Sequence, residues 1–367
     1  MKIPYVDLKL QWKKEKNNLL PLIEKTLSEG TYVIGSEIEK FEKKISRVCG
    51  TKYAVAFNSG TDALTMALVL LGVRRGDEVI TPPNSFISST SSIIHIGAIP
   101  VFADILNDQN IDPKEIEKKI TKKTKAIMPV HLTGRMCEMD QIKHISKKYG
   151  IPIVEDAAQS IGSKYYNKKS GSIGDVGCFS THPLKNLNAC GDGGFFVTNN
   201  YEIYDKAKIL RNHGLEDRNV VKHFGYISRM DVIQARILNF RLKNLHSTII
   251  KRRNNAKFYL DNINREFYEL IDEKKYQYNT YHTFVIKTPK RKKLINYLKK
   301  NSIGTAIHYP IPIHLQPASK FFKYKKGDFP VAENQAKKIL TLPIHQNLTF
   351  KNIKKIVEVL NKFVKKI

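Results

Sequence analysis

Lys185 lies in a short polar loop between a strand-like apolar run at 176–179 and a glycine-rich turn (Gly191, Gly193, Gly194) that leads into a second such run at 195–198. A lysine held in such a place is partly desolvated, so its pKa falls and its amine becomes nucleophilic toward an aldehyde. Asp156 ends IPIVED, in which four apolar residues lead into two carboxylates. That is the pattern of a buried parallel strand whose C-terminal end opens into a crevice. A carboxylate there needs a cationic partner or carries a large desolvation cost, and a protonated ring nitrogen is a partner of the right kind. Taken singly, Lys185 is one lysine among many solvated ones. Its position 29 residues after Asp156, inside FSTHPLKNLNACGDGGFFVTNN, separates it from them.

An anion site is written further upstream. Residues 52–57 read as a strand, and residues 61–71 as a buried helix with apolar residues on most faces. Between them Asn58-Ser59-Gly60-Thr61 forms a tight turn that sets backbone N–H groups and a hydroxyl at the helix N-terminus, where the dipole favours negative charge. Ser-Gly-Thr is also a common cap and turn, so this signal gains weight only beside Asp156 and Lys185. Phe86 follows a Pro-Pro turn at the expected mouth of the crevice. An aromatic there can stack on a flat ring, or belong to the core.

The elements that must position these residues alternate along the chain. Strands near 78–81 and 100–103, a basic helix at 113–120, the strand and helix of TKAIMPVHLTGRMCEMDQI and the IPIVED strand recur about every 25 to 30 residues. Such alternation predicts a mainly parallel sheet covered by helices on both faces, with the site at the strands' C-terminal ends. An N-terminal arm comes first, and a helix near Ser36 carries the Ser36-to-Glu39 spacing of a capping box. A long helix is expected from about Asp231 toward residue 262. A smaller domain then reads as a strand at 281–286, a helix at 290–301, a strand at 305–308, the proline-rich loop IHYPIPIHLQPA, a helix and a C-terminal helix. We divide the chain into an arm and large domain at 1–245 and a small domain at 246–367.

Asp-Ala-Ala-Gln-Ser, followed by Phe-Ser-x-x-Pro-x-Lys-Asn-Leu, resembles the pyridoxal phosphate (PLP)-dependent nucleotide-sugar aminotransferases, the DegT-type family of fold type I enzymes. The likeness runs from YVDLK at Tyr5 to LPIHQNL, ending at Leu348. It implies an α/β fold type I transferase whose large domain has a mainly parallel sheet sandwiched by helices, with a smaller C-terminal α+β domain. It implies PLP held on Lys185, Asp156 at the ring nitrogen, Gly60, Thr61 and Ser180 at the phosphate, and Phe86 and Gln159 against the ring. Arg229, His308 and Tyr309 would face the substrate, although a salt bridge for Arg229 and a structural proline loop for the other two stay open. The reaction implied moves an amino group from glutamate, leaving 2-oxoglutarate, to a nucleotide-linked keto-sugar. HYPIP with LQPA looks most like members acting on 3-keto sugars. The product would be an amino sugar for a polysaccharide, glycan or secondary metabolite. The family builds each site from two chains, so a homodimer is expected. Where many members read Gly-x-Asn-x-Arg, with the asparagine on the partner's phosphate site, this chain has Ile227.

Two other readings stand beside this one. In a dehydratase branch of the family, histidine replaces the lysine; this chain keeps Lys185. A non-catalytic basic protein is the second, since 62 Lys and Arg against 34 Asp and Glu give a net charge of +28. That field favours phosphate-bearing or acidic partners, but runs such as KRKK at Lys290 lack the interleaved aromatics of an RNA-binding surface, and solvated helix faces account for the rest. We expect no nucleic-acid partner. Neither a membrane-spanning run nor a signal-peptide core is evident, so a cytoplasmic protein with no membrane partner is expected. Four cysteines without Cys-x-x-Cys spacing suggest reduced thiols. His308, His314 and His345 lack carboxylates or cysteines at ligand intervals, so no metal site is expected.

Overall fold

The computed structural model describes residues 2–366. Helices α1 (Leu8–Ser28) and α2 (Ser36–Cys49) precede the sheet. Strand β1 (Tyr53–Phe57) leads to α3 (Gly60–Leu70), β2 (Glu78–Thr81) to α4 (Ile87–His95), β3 (Ile99–Phe102) to α5 (Pro113–Lys118), and β4 (Thr124–Ile127) to α6 (Met139–Tyr149). Then come β5 (Val154–Asp156), a two-rung ribbon of β6 (Lys164–Tyr165) and β7 (Lys168–Lys169), then β8 (Val176–Ser180) and β9 (Gly194–Thr198).

The strand order is β3-β2-β4 on one side and β5-β8-β9-β1 on the other. Main-chain bonds from Ile127 N to Pro152 O at 3.0 Å and from Asp156 N to Pro129 O at 2.9 Å join the halves across β4 and β5. Six strands run in one direction, as the alternation predicts. β9 alone runs against both its neighbours, so the sheet is mixed. The C-terminal ends of β1, β5 and β8 therefore lie along one edge, and the start of β9 joins them there.

Side chains alternate across the sheet into two apolar layers. Ala54, Ala56, Phe179, Phe195 and Val197 pack with α2 residues Ile38, Phe41 and Ile45. Val55, Phe57, Cys178 and Phe196 pack with α3 residues Ala63, Leu64 and Ala67 on the other face. Burial on both sides is why these strands read as nearly continuous apolar runs. Phe179 and Phe195 stack with centroids 4.8 Å apart, tying β8 to β9 on either side of the Lys185 loop. Gly177 on β8 has no alternative, because a Cβ there would stand 2.2 Å from Gly171 Cα.

After α7 (Tyr201–Leu210), the single long helix expected from Asp231 is two, α8 (Val232–Leu242) and α9 (Leu245–Asn262). The apolar spacing carries across the break at Lys243 and Asn244, which is why the sequence hides it. The capping box is also absent: Gly35 is the N-cap of α2 and makes no side-chain cap bond. Beyond α9, β10 (Gln277–Tyr278) pairs with β6, and β11 (Phe284–Lys287) is followed by α10 (Arg291–Lys300), α11 (Pro330–Lys338), β12 (Ile339–Leu342) and α12 (Phe350–Val364). The strand expected at 305–308 reduces to one bridge, Ala306 to Thr341. The partner of β11 is instead β12, which follows α11 without a turn residue and so reads as more helix.

A separate apolar core gathers Phe284, Ile286, Leu294, Leu298, Leu340, Leu342 and the buried face of α12, and Ile3 joins it from the N-terminal arm. The boundary drawn at 245/246 falls at the first residue of α9. That helix contributes Leu245 and Ile249 to the sheet's core, and Ala256 and Tyr259 to the other.

Glu155 anchors the sheet edge from beneath. Its fully buried carboxylate accepts N–H bonds from Gly171 at 2.8 Å, Ile173 at 2.7 Å and Gly174 at 2.6 Å. His131 Nε2 lies 2.9 Å from it, and since His131 Nδ1 accepts from the Cys137 N–H, the proton is on Nε2 and is donated to Glu155. Burial pushes the Glu155 pKa up, but His131 and the N–H groups outweigh it and hold it below the usual range. Glu155→Ala is expected to cost about 3 to 5 kcal/mol, read as a lower urea midpoint at unchanged slope. In the wild type the same contribution is present above the ordinary carboxylate pKa and is lost only in acid, as pH falls through the depressed native value.

Candidate active site

The edge made by β1, β5 and β8 opens into a cavity of about 270 Å³. Typical small-molecule pockets run from ~300 to 1,000 Å³, so this one admits a cofactor and the reacting end of a substrate but leaves the bulk of a large substrate outside. Of the ten residues expected at a site, nine line it: Gly60, Thr61, Phe86, Asp156, Gln159, Ser180, Lys185, His308 and Tyr309.

Each is delivered by its element. Ser59 caps α3 by accepting from the Asp62 N–H at 3.0 Å, which leaves the first N–H groups of an eleven-residue helix directed at the cavity. Gly60 is required by a close approach, since a Cβ there would lie 2.8 Å from Ser180 Cβ. Thr61 Oγ1 donates to Ser88 Oγ at 2.9 Å, so hydroxyls of Ser59, Thr61, Ser88 and Ser180 surround that helix end. Phe86, 54 % exposed, immediately precedes α4 with its ring 5.8 Å from that of Tyr309. That exposure removes the core reading of Phe86. Gln159 Oε1 accepts from the Thr133 N–H at 2.9 Å, which fixes the amide against the cavity wall.

The Lys185 loop is held from several directions. Thr181 N donates to Gly193 O at 2.8 Å, and Lys185 N to His182 O at 2.8 Å. Asn186 Nδ2 reaches Thr280 O at 3.0 Å, Asn188 Nδ2 reaches Pro183 O at 2.8 Å, and Arg241 Nη1 donates to the carbonyls of Asn188 and Ala189. Burial lowers the Lys185 pKa to about 8 against the opposing pull of Asp156. Asp156 is pushed the other way. Burial raises its pKa, although Ser89 Oγ donates to it at 2.6 Å and the Ala158 N–H at 3.2 Å. Each group is driven toward neutrality, so the protein alone completes neither charge. Burial likewise holds His308 at about 4, so it is neutral near pH 7.

Arg229 is the exception among the expected residues. It does not line the cavity, and its Nη1 donates to the neutral Asn212 Oδ1 at 3.0 Å, a structural hydrogen bond rather than the salt bridge left open for it. Ile227 sits beside it on a bridge to Asn212, 62 % exposed. Sequence reasoning missed Ser88, Ser89, Tyr5 and Arg252, all in the cavity wall or in contact with its residues. The serine run ISSTSS after Phe86 was the available signal for the first two.

The geometry fits PLP. The capped N-terminus of α3 and its hydroxyls suit the phosphate, Asp156 lacks a cation that a protonated ring nitrogen supplies, the exposed face of Phe86 suits a flat ring, and Lys185 offers an amine poised to condense with the aldehyde.

The model of the DegT/DnrJ/EryC1/StrS aminotransferase family matches residues 13–361. The chain is 37% identical, over 98% of its length and 99% of the relative's, to a dTDP-3-amino-3,6-dideoxy-alpha-D-galactopyranose transaminase of Aneurinibacillus thermoaerophilus. It is 35% identical to a UDP-2-acetamido-2-deoxy-3-oxo-D-glucuronate aminotransferase of Pseudomonas aeruginosa, covering 96% and 98% of the two chains. Among solved structures, DesV of S. venezuelae superposes with a TM-score of 0.97 at 34% identity, covering 100% and 99%. The PLP form of the putative sugar aminotransferase Spr1654 of Streptococcus pneumoniae gives 0.90 at 28% identity, covering 95% and 96%. These likenesses bear out the fold type I architecture and the cofactor.

The amine of Lys185 in cofactor-free protein is expected to react with an acylating reagent with a midpoint near about 8, as its pKa dictates. Asp156→Asn should move that midpoint lower, because the carboxylate favours the ammonium form. Peptide-level mass spectrometry across a pH series checks both.

Proposed function

The chain belongs to the DegT/DnrJ/EryC1/StrS aminotransferase family, and on that premise we propose that it moves an amino group from L-glutamate to a nucleotide-linked 3-keto sugar, giving a nucleotide-linked amino sugar for polysaccharide, glycan or secondary-metabolite synthesis. The observation that carries this reading is a lysine amine titrating near 8 and an uncompensated buried carboxylate in one cavity, beside a helix end prepared for an anion.

PLP, when bound there, supplies an electron-accepting ring that stabilises the negative charge left at carbon when a proton is removed from the amino donor. Gly60 N–H, Thr61, Ser180 and the end of α3 bind its phosphate. Asp156 holds the proton on the ring nitrogen, with Ser89 fixing one carboxylate oxygen. Phe86 and Gln159, both in the cavity wall, would hold the ring between them. Lys185 is the proton carrier. With its pKa lowered to about 8 it is neither locked as an ammonium nor too weak a base, and it takes a proton from one carbon and returns it to another. Neutral His308 and the Tyr309 hydroxyl, whose pKa burial raises, present hydrogen-bonding groups to the sugar without adding charge.

A homodimer belongs to the same proposal. The exposed apolar residues Val220, Val221, Phe224, Tyr226 and Ile227 cluster on the segment before α8, and Tyr32, Val33 and Ile34 are exposed beside α1. Apolar patches of this kind are ordinarily covered by a partner. The four unpaired cysteines support a reducing, cytoplasmic setting. No helix among the described residues is long and apolar enough to cross a membrane.

Protein loaded with PLP is expected to show a visible absorption band that L-glutamate bleaches and a nucleotide 3-keto-sugar restores. Lys185→Ala should lower transfer by about a thousandfold or more. Transfer at the wild-type rate by that variant would sink the reading. In sedimentation the active species should be twice the chain mass.

A further inference from the structure

We propose that Arg252, with the Tyr5 hydroxyl of the same cavity wall, anchors a carboxylate of the amino donor. The proposal rests on the transamination reading and adds to it the residues that receive the donor.

An amino-acid donor carries a carboxylate close to its reacting amine, so the cavity must supply a fixed positive charge. Among the described residues lining it, the basic ones are Lys185, Arg252, His182, His282, His308 and His345. Burial keeps His308 and His345 near about 4 and His282 well below its ordinary value, so these three are neutral at pH 7, and His182 is shifted the same way. Lys185 is the reacting amine. Arg252 remains as the permanent cation.

Its surroundings are those of a charge waiting for a partner. Arg252 projects from the middle of α9 and is 4 % exposed. Its Nη1 donates to Tyr281 O at 3.2 Å and His282 O at 3.1 Å, and its Nε and Nη2 donate to Gln346 Oε1 at 3.3 and 3.1 Å. Every acceptor is neutral. A buried guanidinium with no anion is costly, and it persists where a ligand completes the pair. One Nη2 N–H is left over. Tyr5 lines the same cavity as Arg252, with its ring 5.7 Å from that of His308. One N–H and one O–H give two donors for the two oxygens of a carboxylate.

The placement suits a small donor. Arg252 Nη1 is hydrogen-bonded to the carbonyl of His282, and His282, Lys185 and Arg252 all line the same cavity. A carboxylate on Arg252 thus belongs to a molecule whose amine reaches the Lys185 end of the same cavity. Both residues line that cavity.

Glutarate, a dicarboxylate with no amine to react, is the probe, titrated by calorimetry into the PLP-loaded protein. Arg252→Gln is expected to weaken glutarate about tenfold or more and Tyr5→Phe about threefold, with affinity for UDP or dTDP unchanged. Because Arg252 also holds the main chain at Tyr281 and His282, Tyr5→Phe, which removes one oxygen atom, decides the matter if Arg252→Gln does not fold. Glutarate affinity at the wild-type level in Tyr5→Phe, or a loss that falls on the nucleotide instead, overturns the anchor alone. A wild-type spectrum that L-glutamate leaves untouched overturns the transamination reading with it.

Discussion

Two opposite charges are kept from water in one cavity without being allowed to satisfy each other. Burial drives Lys185 down to about 8 and drives Asp156 up, and the mutual attraction of the pair does not reverse either shift. Had they formed a tight ion pair, the amine would be locked as an ammonium and the carboxylate would have no capacity for a third party. Their separation leaves a basic amine and an available carboxylate. The surrounding architecture serves to maintain it.

The sheet does this by setting three strand ends on one edge. β1 delivers the helix cap and Gly60, β5 delivers Asp156, and β8 delivers Ser180 and the lysine loop. The first turn of α4 ties them together, since Ser88 meets Thr61, Ser89 meets Asp156, and Phe86 faces the cavity. A shift of α4 would disturb the anion cradle and the ring-nitrogen partner at once. The Lys185 loop is bound on the other side by Asn186, Asn188 and Arg241, none of which reacts.

Much of this was legible because the signals are local. A buried strand ending in a carboxylate, and the Asn58-Ser59-Gly60-Thr61 turn before an apolar helix, leave marks in adjacent residues. So do alternating strands and helices, from which the mainly parallel sheet follows. What escaped depends on distant segments meeting. Ser89 touches Asp156 across 67 positions, and the wall of the cavity at Arg252 combines α9, the loop at Tyr281 and Gln346 with an N-terminal arm. The reversed β9, the break before α9 and the strand β12 were hidden for a related reason. Apolar residues serve a strand in either direction, a helix on either side of a kink, and a strand that begins where a helix stops.

Helix α9 carries a mechanical implication. Its eighteen residues, roughly 27 Å at 1.5 Å per residue, begin in the sheet's core and end in the core built around β11 and β12. An axle embedded in both bodies resists hinge-like parting of the two, because opening would have to bend the axle or pull apolar side chains out of one socket. Side chains and short loops around the cavity are free of that restraint, so they can move without either core being disturbed.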